Sequence, residues 1–460
     1  STGALGCLAA TQASAIGNTA EVRLITLDPG HFHAALFQKE MIPGVARRVH
    51  VYAPAGPDLV AHLNRVTAFN TRAANPTAWE LEVHAAPDFF ARLIAERPGN
   101  VVVISGQNRG KIDRIEAVVR AGLHTLSDKP WIIEASELPA LARTLEAARA
   151  ARVAAWDAMT QRFEISCIVQ KELVNDAAVF GAPLTGSERE PAVFMESVHF
   201  VKKEVAGAPL LRPAWFFDPR QQGEPLADVG THLVDLVQWT LSSEKALDYR
   251  RDLAVLRGTR DLIRLTREQF KGVTGLADFP EFLRGAVRDG RLDYVTKNTV
   301  SYTLRGVHVK LDVVWDYEAP SGVKDTELAV FRGSRARVEV RQGPAENFVP
   351  EVYVVPNRPD ERGAIERALR DRLQRLDATL PGLALENADQ GFRVSIPAAL
   401  RTSHEAHFAV LVGQFLTYQR EPDTIPAWEA SFMLAKYFVT TEGVRLGRQA
   451  GALRQTTAAR

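Results

Sequence analysis

Asp228 and His232 stand four residues apart at the start of an apolar rhythm that runs through Leu233, Leu236, Val237 and Leu241. The rhythm predicts a helix beginning near Gly230, and the spacing turns both side chains towards one cleft. An imidazole in a first helical turn feels the positive end of the helix dipole, which lowers its pKa and leaves it neutral, able to take a proton near pH 7. The same spacing is met when an aspartate caps a helix and a histidine packs beside it, and the pair alone does not choose between the two. Far upstream, Ser127-Asp128-Lys129-Pro130-Trp131 closes the apolar segment Gly122-Leu123-His124-Thr125-Leu126 and sets an amine after a strand.

Taken in this order, the D-K-P of Asp128-Lys129-Pro130 and the D-x-G-x-H-x-x-D of residues 228–235 resemble the motifs of the glucose-fructose oxidoreductase, inositol dehydrogenase and MocA family. The likeness covers most of residues 21 to about 240. It implies that Lys129, Asp228 and His232 bind the reacting hydroxyl of a sugar, glycoside or polyol. By this resemblance His232 takes the hydroxyl proton, Lys129 holds the oxygen, and Asp228 orients the substrate or the base. Hydride then passes between carbon and a tightly bound nicotinamide, NAD or NADP, whose chemistry is its own. Asp235 is expected to fix the helix or a neighbouring backbone.

The elements that must position these groups begin with an apolar run, Glu21 to Leu27, a turn at Asp28-Pro29-Gly30, and a helix expected over Phe32 to Met41. Strand, turn and helix in that order open a dinucleotide-binding unit. The glycine fingerprint is eroded: over Asp28, Gly30, His31, Phe32 and His33 only the second glycine survives, the one whose missing side chain admits a pyrophosphate. Asp28 takes the place of the first glycine and His33 that of the third; a carboxylate there repels a diphosphate unless it turns away, whereas His31 and His33 can donate to phosphate or ribose. The second strand, Arg48 to Tyr52, ends without the acid that marks NAD or the base that marks NADP, with a mild lean to NAD. Val101 to Ser105 reads as a buried parallel strand leading into Gly106-Gln107-Asn108. The resemblance places Asn108 beside the nicotinamide ribose, and makes Ser105, Gly106, Asp128 and Lys129 part of the cofactor's surroundings.

Strands alternating with helices up to Trp156 imply a doubly wound parallel sheet over residues 21–156. From residue 157 to 460 the pattern changes: after a helix over Glu164 to Asp176, period-two strands recur at Ala192 to Val201, Pro213 to Asp218, Leu247 to Leu256, Thr299 to Leu304, Val307 to Trp315, Glu327 to Arg332 and Ala336 to Arg341. They suggest an α+β domain with one large, mostly antiparallel sheet. The resemblance gives one face of that sheet to the cleft and the other to contacts in a homo-oligomer. Substrate-lining candidates are Arg162, His199, Lys202 and Trp215, since a sugar site needs hydrogen-bonding groups and a flat apolar face. Arg162 is placed equally well to pair with an acid across the domain boundary, and a tryptophan with nearby lysines is also the pattern of a core ring and solvated charges. His404-Glu405-x-His407 lacks the spacing of a zinc helix and reads as packing or capping, so no metal is expected.

Composition bounds the rest. With 460 residues, 46% hydrophobic and 24% charged, the chain can bury two cores, and a net charge of +1 gives no reason to expect nucleic acid or acidic lipid as a partner. Two cysteines, Cys7 and Cys167, argue against a disulfide framework or a cysteine-built metal site. Ser1 to Ala20 carry no charge and hold Ala13-Ser14-Ala15, the pattern of an export signal's end or of a plain leader, so a periplasmic location is expected. Elsewhere no apolar run is long enough to span a membrane. Two other functions meet the same residues: a glycoside-cleaving enzyme in which bound NAD oxidises a ring carbon transiently, and a binding or regulatory protein on a Rossmann scaffold.

Overall fold

The computed structural model describes residues 21–205 and 208–458; the expected leader, with Cys7, lies outside them. Six strands form a parallel sheet: β1 (Leu24–Leu27), β2 (Arg48–Ala53), β3 (Glu80–Ala85), β4 (Val101–Ile104), β5 (His124–Ser127) and β6 (Ala155–Asp157). Their order is β3-β2-β1-β4-β5-β6, the doubly wound arrangement whose chain reversal beside β1 opens a crevice at the strands' carboxyl ends. Continuous apolar runs make the middle strands: Leu24–Leu27 and Val101–Ile104 are buried along their whole length because helices cover both faces. β3 is different. It occupies the sheet's edge with Glu80, Glu82 and Val83 exposed, and it has no apolar run to announce it.

The second sheet has ten strands. From one edge it runs through Leu253–Leu265, Arg291–Leu304, Val307–Glu318, Val193–Lys202, Thr326–Arg332, Ala336–Gln342, Glu351–Pro356, Gly391–Ser395 and Ala384–Ala388, with the short Val287–Arg288 paired beside Arg291–Leu304. Every junction is antiparallel except that of Val193–Lys202 with Val307–Glu318, so the sheet is mostly antiparallel as expected.

Two expected strands are corrected. Pro213 to Asp218 is a 3-10 turn, Ala214–Phe217, in which Trp215 and Phe217 are buried and Trp215 reaches Asp58 on the helix Pro57–Thr71. Tyr249–Asp252 is a helical turn capped by Asp248, whose carboxylate accepts from Arg250 N at 3.0 Å, so the strand begins only at Leu253.

A helix of 32 residues, Ala427–Ala458, ends the described chain and touches both sheets. It lies against Leu253–Leu265 where two glycines meet: a Cβ on Gly258 would collide with the carbonyl of Gly443. On the other side Tyr437 Oη accepts from Trp131 N at 3.0 Å and donates to Asp157 Oδ2 at 3.0 Å. The turn carrying Lys129 and the end of β6 are thereby held by one residue 306 and 280 positions away in the chain. No helix among the described residues is long and apolar enough to cross a membrane.

Candidate active site

Asp228 ends the short helix Pro225–Asp228, and His232 lies in the first turn of Gly230–Leu241, the start the apolar rhythm predicts. The entry is anchored below by Glu224, which is fully buried. Its carboxylate accepts from Asn298 Nδ2 at 2.9 Å and pairs with Arg260 at 3.1 Å and Arg448 at 2.8 Å. Asn298 Oδ1 in turn accepts from Leu226 N at 3.0 Å, so the turn before Asp228 cannot drift. Asp228 is ion-paired with Lys129 and accepts from Gln222 Nε2 at 3.2 Å. Burial pushes its carboxyl up, but the Lys129 ammonium outweighs this and leaves it below the ordinary value.

His232 is held well below the usual histidine pKa, first by burial and then by the charge of Lys129. It is a neutral base, though for reasons other than the helix dipole alone. Its Nδ1 is buried without a hydrogen-bond partner, so the ring edge that meets the cleft carries Nε2. Asp235, one turn on, does not serve that nitrogen. Its oxygens accept from Arg162 at 2.6 and 2.7 Å and from Lys436 at 3.3 Å, which is the helix-fixing role expected of it.

The loop after β1 departs from the expectation in its details. Asp28 adopts φ 49°, the left-handed backbone a first glycine would take, and its carboxylate turns outward to Arg114. It does not line the cleft. The helix expected over Phe32 to Met41 is one turn, His33–Leu36, since the chain doubles back to bridge Val45 with Val22. His31 and His33 converge on Asp128: His31 Nδ1 lies 2.7 Å from Oδ2 and His33 Nδ1 3.0 Å from Oδ1, while Ser105 Oγ donates to Oδ2 at 3.0 Å. Burial raises the Asp128 carboxyl, yet His33 and His31 hold it well below its ordinary range. Burial, then the neighbouring His33, pushes His31 down to about 4. Lys111, fully buried, donates to Asp128 O at 3.1 Å and to Asn108 Oδ1, and burial pushes it down to about 8.

These groups share one cleft of about 410 Å³ that runs from Gly30, His31, Phe32 and His33 past Gly106, Asn108 and Asp128 to Lys129, Asp228 and His232. The first and second halves of the chain thus bring an amine and an imidazole to the same space. Asn108 is pinned by donating Nδ2 to Gln222 O at 2.7 Å. Of the substrate candidates, His199 and Trp215 line the cleft: His199 stacks on Trp315 at 4.9 Å and meets Asp325 at 2.8 Å. Trp215 crosses to the first half and donates Nε1 to Asp58 Oδ2 at 2.8 Å.

Two candidates lie elsewhere. Arg162 is buried between Asp235 and Glu429, acids of its own part of the chain rather than across the boundary at residue 157, and Lys202 pairs with Glu318 at 2.5 Å on the half-exposed strand end. Strand alternation explains the second: Lys203, the next residue, lines the cleft with Asp325 instead. Gln222, Lys203, Asp325, Trp315 and Thr160 are lining residues that no motif marked. His404 also reaches the cleft, a placement that its packing or capping pattern left open, stacked on His33 at 5.2 Å; Glu405 turns to Lys39 and His407 to Glu164, so that trio does not converge.

A nicotinamide dinucleotide, the group implied by the resemblance, meets a cradle altered at one end. Asp28 presents no charge to a diphosphate because Arg114 holds it, and the cleft is continuous from the Gly30 loop to His232. At Gly30 the backbone is bare but hemmed in: a Cβ there would stand 3.1 Å from both Asp58 Oδ2 and Trp215 Cζ2. The residues therefore fit the nicotinamide end within the cleft, with Trp215 lying across the outer approach.

The family model described as "Putative oxidoreductase C terminal domain" matches residues 169–448. A crystal structure of a "putative oxidoreductase" from Parabacteroides merdae is 41% identical, with a TM-score of 0.91 over 94% of this chain and 98% of that one. More distant likenesses show the fold alone. A mutant of KijD10, a 3-ketoreductase from Actinomadura kijaniata in complex with TDP-benzene and NADP, is 16% identical, with a TM-score of 0.56 over 93% of this chain and 98% of that one. GenD2 from gentamicin A biosynthesis, in complex with NAD, is 14% identical, with a TM-score of 0.55 over 96% and 98%. No curated protein matches the chain.

Proposed function

We propose, on the premise that the chain belongs to this oxidoreductase family, that it moves hydride between a hydroxyl-bearing carbon of a sugar, glycoside or polyol and a firmly held nicotinamide cofactor. One observation carries the reading: Lys129, from the end of β5, and His232, from the helix beneath the second sheet, open onto a single cleft with Asp228 paired to the lysine. The neighbours crystallised with NADP or NAD support the choice of cofactor. Gly30, Phe32, Gly106 and Asn108 would hold it, and bound there it supplies the hydride acceptor.

The chain's own residues do the rest. His232, neutral through burial and the charge of Lys129, takes the hydroxyl proton. Lys129 donates to the same oxygen and stabilises its developing negative charge, which in a cleft shielded from water counts for far more than in solution. Asp228 fixes the ammonium, and Gln222 fixes Asp228. His199 and the indole faces of Trp215 and Trp315 offer the hydrogen bonds and flat apolar surface suited to a sugar ring. Denaturing the protein as purified and weighing what is released tests the cofactor. With sugar added, His232→Ala should abolish hydride transfer and still retain the dinucleotide; transfer at the unaltered rate in that variant would remove the role given to the imidazole.

A further inference from the structure

We propose that His31, His33 and Asp128 bind a divalent first-row metal ion, zinc foremost, whose open coordination position faces the substrate cleft. This goes beyond the hydride reading and departs from the expectation that the chain has no metal site. The donors come from two segments: two histidines in alternate positions on the loop after β1, and the carboxylate that ends β5. One nitrogen of each ring and one oxygen of the carboxylate lie within 4.8 Å of one another, and the two Nδ1 atoms approach Asp128 to 2.7 and 3.0 Å. Zinc takes imidazole nitrogen and carboxylate oxygen at about 2.0–2.2 Å, so donors this close share one ion after small side-chain adjustments.

The surroundings are those of a ligand set. Ser105 Oγ donates to Asp128 Oδ2 at 3.0 Å, the kind of outer hydrogen bond that orients a ligating carboxylate. Asp128 and His33 are buried, which fixes their rings and oxygens before any ion arrives. All three residues line the cleft beside Lys129, Asp228 and His232. Three protein ligands with a fourth place open to a substrate pocket is the composition of catalytic rather than structural zinc sites. Of the ammonium groups nearby, Lys129 is paired with Asp228, and Lys111 donates to Asp128 O at 3.1 Å and to Asn108 Oδ1 rather than to the Asp128 carboxylate. The fourth place would take a hydroxyl or carbonyl oxygen of the sugar, or water in its absence.

One other group of this kind exists among the described residues, His50, Glu82 and His84 on β2 and β3, where Glu82 is exposed on the sheet's edge strand. It serves as the control. The full chain, stripped with chelator and dialysed, is titrated with Zn2+ by calorimetry and with Co2+ by visible absorption. One equivalent should bind, with the intense absorption bands of low-coordinate cobalt. His31→Gln, at a partly exposed position, should weaken binding by about 10-fold or more and bleach those bands without moving the melting curve, as the loss of a ligand does. Asp128→Asn should do the same where it folds, and His84→Gln should change nothing. No saturable binding, binding that survives His31→Gln and His33→Gln, or binding lost with His84→Gln would each overturn the site. Dinucleotide content, weighed separately, reports on the hydride reading, so failure of one is not failure of the other.

Discussion

Lys436 Nζ lies 2.7 Å from Asp157 Oδ2, and neither side chain is reached by solvent. The pair joins the last helix to the end of the parallel sheet, and through its second contact, 3.3 Å to Asp235, it also reaches the helix that carries His232. Arg162 and Glu429 complete the network. Buried ions of this kind add little net stability when every charge is matched, but removing one partner strands the others.

Lys436→Met should therefore destabilise the fold by about 3–5 kcal/mol, since it leaves Asp157 and Asp235 each short of a cation in a dry interior. Urea unfolding measures it, and a shift of a few tenths of a kcal/mol would show that water already reaches the network.

His62 gives a pH dependence whose sign can be worked out. Both its ring nitrogens are buried without partners, and burial pushes its pKa from the ordinary 6.5 to about 4. Between those values the unfolded chain holds a proton that the folded chain does not, so stability is fully present above pH 6.5 and falls as pH drops towards 4. The loss is about 3 kcal/mol at most, from about 1.4 kcal/mol per unit. His62→Leu should make the stability profile shallower over that window, the remaining slope coming from other buried histidines such as His31, and leave stability near pH 8 little changed. A profile as steep as before would mean that the ring is already protonated in the fold.

Trp215 bridges the halves of the chain through its bond to the Asp58 carboxylate. Trp215→Phe keeps an aromatic face and loses the N–H, a hydrogen bond to a charged group worth about 1.5–3 kcal/mol. Because the indole lies across the approach to Gly30, dinucleotide retained after dialysis should fall by about 10-fold or more. Equal retention in wild type and variant would show that the bond is not part of the closure.

Much of the parallel sheet was legible because its central strands are short and largely apolar: Leu24–Leu27, Val101–Ile104 and the strand ending at Ser127 all stand where the runs predict them. β3 was missed since an exposed edge strand has no face to mark with apolar residues. Lys129, Asp228 and His232 were found through their motifs, and the structure gathers them in one cleft. Lys203 was passed over in favour of Lys202 because a one-residue choice on a strand is a choice of face, and its neighbours do not betray which is inward. Gln222, Asp325 and Lys436 were beyond reach for a different reason. Each acts across a separation in sequence that no local pattern records: Gln222 with Asn108, Asp325 with His199, Lys436 with Asp157.

The long terminal helix has a consequence for how the protein is made. Trp131 N and Asp157 belong to a part of the chain that leaves the ribosome early, yet the hydroxyl and ammonium that satisfy them, on Tyr437 and Lys436, emerge much later. Until then two polar groups that the fold buries wait without partners, a deficit of several kcal/mol. The nascent amino-terminal half is thus an unfinished body, and a nascent chain halted or clipped before Lys436 would be a substrate for chaperones and proteases before it could be an enzyme.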